Sequence, residues 1–63
     1  MEQQHERKIK SLGEKKKFFY RLMDQYHREK NNLDQNERGK YNRILIRIKE
    51  EIFELQIEIA EEE

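Results

Sequence analysis

The chain has 63 residues, no cysteine and no proline, and fourteen basic groups balance fourteen acidic ones. A chain this short makes at most one domain and builds only a marginal core by itself; without cysteine it has neither a disulfide nor a thiolate metal site to staple it, so association with another chain is expected to supply the missing burial. Charged residues make up 44% and hydrophobic ones 33%, a balance that belongs to long helices and coiled coils rather than to an average globule.

Disorder is the rival reading of so much charge, but the apolar residues are Ile, Leu and Phe at helical spacing. No apolar run approaches the ~20 residues of a membrane span. The opening MEQQHERKIK has no apolar stretch behind its charges, as a secretory signal would. A soluble, cytoplasmic protein with no membrane partner is expected. The charge is unevenly spread. Residues 1–49 carry fourteen bases against seven acids, a net of +7, and residues 50–63 carry seven glutamates and no base.

Along the first half, Leu12, Phe19, Leu22, Met23 and Tyr26 recur at sevens, threes and fours, which places them on one helical face. Ser11 with Glu14 three residues later has the form of a capping box, in which the hydroxyl and the carboxylate satisfy orphan N–H groups at a helix start. Ile9 nevertheless extends the apolar pattern upstream. A helix over about 3–31 is therefore expected, beginning before Ser11 and bending or loosening near Gly13.

The middle reads Lys30-Asn31-Asn32-Leu33-Asp34-Gln35-Asn36-Glu37. Asparagine tolerates the left-handed conformation that ends many helices, and Asp34 with Glu37 forms a second capping box. The turn is expected at about 31–34. A turn at Gly39 is the alternative, but it would leave the next helix without a good cap.

The second helix, over about 35–61, carries two apolar rows. Tyr41, Leu45, Ile48, Ile52, Leu55 and Ile59 alternate as heptad core positions do. Ile46, Phe53, Ile57 and Ala60 form a second row roughly 120° further round at 100° per residue. Arg43, Arg47, Glu50, Glu54, Glu58 and Glu61 are left for solvent. One partner helix can cover one row, so the second needs another neighbour.

The expected fold is therefore all-α: an antiparallel two-helix hairpin, coiled-coil-like and a single domain, with two copies associating into a four-helix bundle. The expected partners are a second copy, a dimer foremost, or another helical protein. The expected function is a non-catalytic protein–protein interaction module, a small regulator, adaptor or chaperone whose contact residues are Ile46, Phe53, Ile57 and Ala60.

Other chemistries have weaker signals. Lys15-Lys16-Lys17-Phe18-Phe19-Tyr20-Arg21 mixes bases with aromatics, so Lys15, Lys16, Lys17 and Arg21 are the candidate nucleic-acid contacts. An antiparallel hairpin lays this segment beside the glutamate-rich one, which would largely cancel its field. His27 follows Asp24 by three residues, but two ligands with no third do not make a metal centre, and the Glu-x-x-His pattern of di-metal bundles is absent. No cofactor motif and no catalytic pair is present. The glutamates of residues 50–61 lack the cleft that general acid–base work requires.

Lys30-Asn31-Asn32-Leu33-Asp34 resembles the Ser-Gln-x-Leu-Asp motif of the small two-helix phosphatases that act on response regulators in spore-forming bacteria. Leu33 and Asp34 match; lysine and asparagine replace the serine and glutamine. The resemblance covers five residues with two identities and implies, as a further alternative, a phosphatase-like hairpin using Asp34. In shape alone the hairpin also resembles small RNA-regulatory and secretion-chaperone hairpins.

Overall fold

The computed structural model describes residues 2–62. Two helices, α1 (Glu2–Glu29) and α2 (Gln35–Glu62), are joined by a 3₁₀ turn at Lys30–Asn32. They lie side by side as a rod of 47 × 15 × 12 Å. Cross-helix contacts fix the antiparallel register. Tyr26 stacks near Tyr41 with ring centroids 5.5 Å apart, Lys15 reaches Glu51 at 3.1 Å and His5 reaches Glu62 at 3.1 Å. In each pair the residue numbers sum to about 67, so any level of α1 can be matched to its level on α2.

The half-buried residues trace the seam. On α1 they include Leu12, Phe19, Leu22, Met23 and Tyr26, and on α2 Tyr41, Leu45, Ile48, Ile52, Leu55 and Ile59. These are the apolar stripes that helical periodicity selects from the sequence. No side chain among the described residues is fully buried. The hairpin thus has an interface but no enclosed core.

The chain reverses without any left-handed residue, since no φ among the described residues is positive, and the expected asparagine-type helix end is not used. Instead the last turn of α1 tightens to 3₁₀, a common way to use up terminal carbonyls. Leu33 N–H donates to the Lys30 carbonyl at 3.4 Å, and Leu33 itself is extended at φ −95°, ψ 142°. The Arg38 guanidinium donates to the same Lys30 carbonyl at 2.8 Å, so a side chain of α2 caps the end of α1. At the other side of the turn, Asp34 Oδ1 accepts the Glu37 N–H at 2.8 Å. That is the first half of the capping box read from the sequence, and it satisfies one orphan donor at the start of α2.

As expected, α1 begins before Ser11, nine residues earlier, so Ser11 lies half-buried in mid-helix and its capping-box form is not used. Gly13 does not interrupt the helix, which is continuous from Glu2 to Glu29. His5 and Lys8 reach Glu62 and Glu58 at the end of α2, Leu12 is half-buried, and a glycine costs a helix only ~1 kcal/mol.

Two substitutions test this description by urea denaturation followed by circular dichroism. A Cβ at Gly13 would meet nothing within 4 Å, so Gly13→Ala should stabilise the fold by about 0.5–1 kcal/mol. Asp34→Ala should cost about 1 kcal/mol through the lost cap. A destabilised Gly13→Ala variant would show that the helix is not regular there.

Candidate interaction face

The second row of α2 remains uncovered by α1. Phe53 is 63% exposed, Ile46 57% and Ile57 44%, and Ala60 is exposed as well. The reason is angular. The seam row points at α1, and the second row is turned away from it by the same roughly 120°. A shallow hollow lies beside Phe53, lined by Lys49, Glu50, Ile52, Phe53, Glu54 and Gln56.

Four further large apolar side chains are exposed: Ile9, Phe18, Tyr20 and Ile44. Because α2 runs antiparallel to α1, residues that follow the seam stripe in angle lie on the same side of the rod on both helices. Ile9 and Tyr20, roughly 95° past the stripe of α1, therefore share a side with Ile46, Phe53 and Ala60. Phe18 and Ile44 lie on the opposite side, where Ser11, Glu14, Lys15, Phe18, Ile48 and Glu51 line a second shallow depression. The contribution of α1 is not apparent from the contact residues chosen on α2. Its signal is the i, i+11 spacing of Ile9 and Tyr20, which returns to nearly the same angle after three turns.

The basic segment is not one surface. Successive helical residues diverge by 100°, so Lys15, Lys16 and Lys17 point three ways. Lys15 pairs with Glu51 at 3.1 Å, Lys16 is half-buried, and Lys17 and Arg21 are exposed. Asp24, the companion of His27 in the two-ligand reading, pairs instead with Arg28 at 2.9 Å. Asp34, the residue of the phosphatase-like motif, is engaged as the cap of α2. Among the described residues no group of three or more His, Asp or Glu side chains is placed to hold a metal ion, and no helix is long and apolar enough to cross a membrane.

The basic start of α1 does lie along the acidic end of α2, as complementary charge requires. Lys8 bonds to Glu62 and approaches Glu58 at 3.8 Å, and His5 also reaches Glu62. The hydrogen bond from Lys8, then that from His5, hold the Glu62 carboxyl below its ordinary value. The bond to Glu62 raises Lys8 above its ordinary value. At the turn end, burial first and the neighbouring Glu29 carboxylate second push the Tyr41 hydroxyl up, and that hydroxyl donates to Glu29 at 3.2 Å.

These shifts fix the pH window of the clasp between the free ends of the helices. The folded Glu62 pKa is depressed, so its contribution is present above the ordinary carboxyl value of 4.5 and fades as pH falls through the depressed one. Lys8 is raised, so its share is lost only as pH rises past 10.5. The charges are partly solvated and the effect is small. Glu62→Gln should therefore flatten the acid limb of stability against pH, measured by denaturation, and change nothing in the shape near neutrality. An unchanged acid limb would show that the clasp does not form.

Compared with known proteins, the chain matches no family model, no curated protein and no solved structure.

Proposed function

We propose that this chain is a non-catalytic protein–protein interaction module, a small cytoplasmic regulator, adaptor or chaperone that works through the face built on Ile46, Phe53, Ile57 and Ala60. Its first partner is a second copy of itself, two hairpins making a four-helix bundle. The observation that carries this reading is the exposure of Phe53, Ile46 and Ile57 in a rod with no buried side chain among the described residues to compensate. Leaving three such side chains in water forgoes on the order of 1.5–3 kcal/mol each. A domain of this size has about 5 kcal/mol or less in all. Covering the row between chains is the available remedy, and large exposed apolar patches mark such surfaces.

The carboxylates support the same reading. Glu50, Glu54 and Glu61 are exposed, whereas acid–base work uses sheltered carboxylates of separated pKa. Phe53→Glu and Ile57→Glu should dissociate the assembly and leave a largely unfolded monomer. Glu54→Gln should leave the mass unchanged. Light scattering with circular dichroism reads both. A Phe53→Glu chain that stays folded at the mass of the unsubstituted protein would remove this row as the self-association surface.

A further inference from the structure

The exposed apolar residues on the Phe53 side have a common centre. On α2, Ile46 and Ala60 are spaced evenly about Phe53, seven residues to each side. On α1, Ile9 and Tyr20 are spaced evenly about residues 14 and 15. The register of the hairpin, in which facing residues sum to about 67, puts residues 14 and 53 at one level of the rod. Ile57 apart, both rows are therefore symmetric about a single point along its length.

The charge is polar along the same length. The turn half, residues 18–49, carries eight bases against four acids, a net of +4. The open half, residues 1–17 and 50–63, carries six bases against ten acids, a net of −4. Two rods laid with turns together would set like charge on like charge, and two laid with turns at opposite ends set positive on negative. With the axis at the level of Phe53, about 6 Å from the midpoint of the rod, about 35 Å of the 47 by 15 Å broad side overlaps, which offers about 500 Å² per partner, toward the low end of specific interfaces.

We infer that a second hairpin docks on this side head to tail, related to the first by a two-fold axis that crosses α2 at Phe53. This rests on the self-association proposed above and specifies its geometry. A two-fold interface pairs residue i with j and j with i. Here it sets Ile46 against the partner's Ala60, a large side chain against a small one, and Ile9 against the partner's Tyr20. Phe53 meets the partner's Phe53 beside the hollow lined by Ile52 and Gln56. At the outer edge Arg43 faces the partner's Glu61, which completes the charge match.

The absence of native cysteine allows a direct test by air oxidation of single-cysteine variants of the full chain. Lys49→Cys and Gln56→Cys alter polar, exposed positions outside the apolar rows, so folding should persist. The axis brings residue 49 of one chain to residue 56 of the other. The mixture should give the 49–56 disulfide. Each variant alone should not link, because its two copies sit about 10 Å apart along the helix and a disulfide needs Cα atoms within ~7 Å. As a second measurement, Arg43→Glu should weaken the dimer, and adding Glu61→Arg should restore it.

Self-linking of each variant alone would mean that the α2 helices run parallel, and would overturn the orientation. No linking in the mixture, with a dimer still seen by light scattering, would also overturn it while leaving self-association in place. A monomer by light scattering at all concentrations would overturn both.

Discussion

The governing constraint is that two helices facing each other can bury only one strip apiece. In this hairpin that strip is filled by ordinary coiled-coil residues, Leu45, Ile48, Ile52, Leu55 and Ile59 against Leu12, Phe19, Leu22 and Tyr26, yet each remains partly solvated. The chain exposes 5617 Å², whereas a compact globule of 8.0 kDa would expose about 4,450 Å². The excess is of the order of one protein interface. The apolar second row of α2, the exposed aromatics of α1 and the absence of a buried residue among those described all follow from the same geometric shortage.

Charge then decides what can lie where. The glutamates of α2 sit at its C-terminal end and its bases toward the N-terminal end, opposite to what the helix macrodipole favours. Within the hairpin, α1 relieves part of this by bringing Lys8 and Lys15 to Glu58, Glu62 and Glu51. The same pairing engages Lys15, while Lys17 and Arg21 of the basic segment stay exposed. What remains is a rod with a positive turn end and a negative open end, and its electrostatics favour a neighbour of reversed direction.

The seam was legible in the sequence because its residues obey one period over four turns or more, without proline and in spite of Gly13 beside Leu12. The turn was legible through Asp34, whose short side chain reaches the N–H three residues on and is the physical signature of a helix start. Ser11 carries the same signature and is not a cap, because a local motif yields when flanking residues such as Leu12 and Lys8 have tertiary partners. The asparagines misled for a related reason: Arg38, eight residues from Lys30, supplies from α2 the donor that a left-handed residue would otherwise have provided. The role of α1 in the exposed face was hidden because Ile9 and Tyr20 are isolated in sequence. They become neighbours of the Phe53 row only through the antiparallel register, which no single-helix pattern contains.

Whether the uncovered rows are closed by a second chain is decided most directly by thermal melting over a wide concentration range. If folding depends on association, mass action requires the midpoint to rise with concentration. Melts by circular dichroism from low micromolar to near-millimolar protein should then move steadily upward, with helicity lost on dilution. A sharp melt at one temperature throughout, from a particle of monomer mass, would contradict the account: the half-buried seam would then suffice by itself.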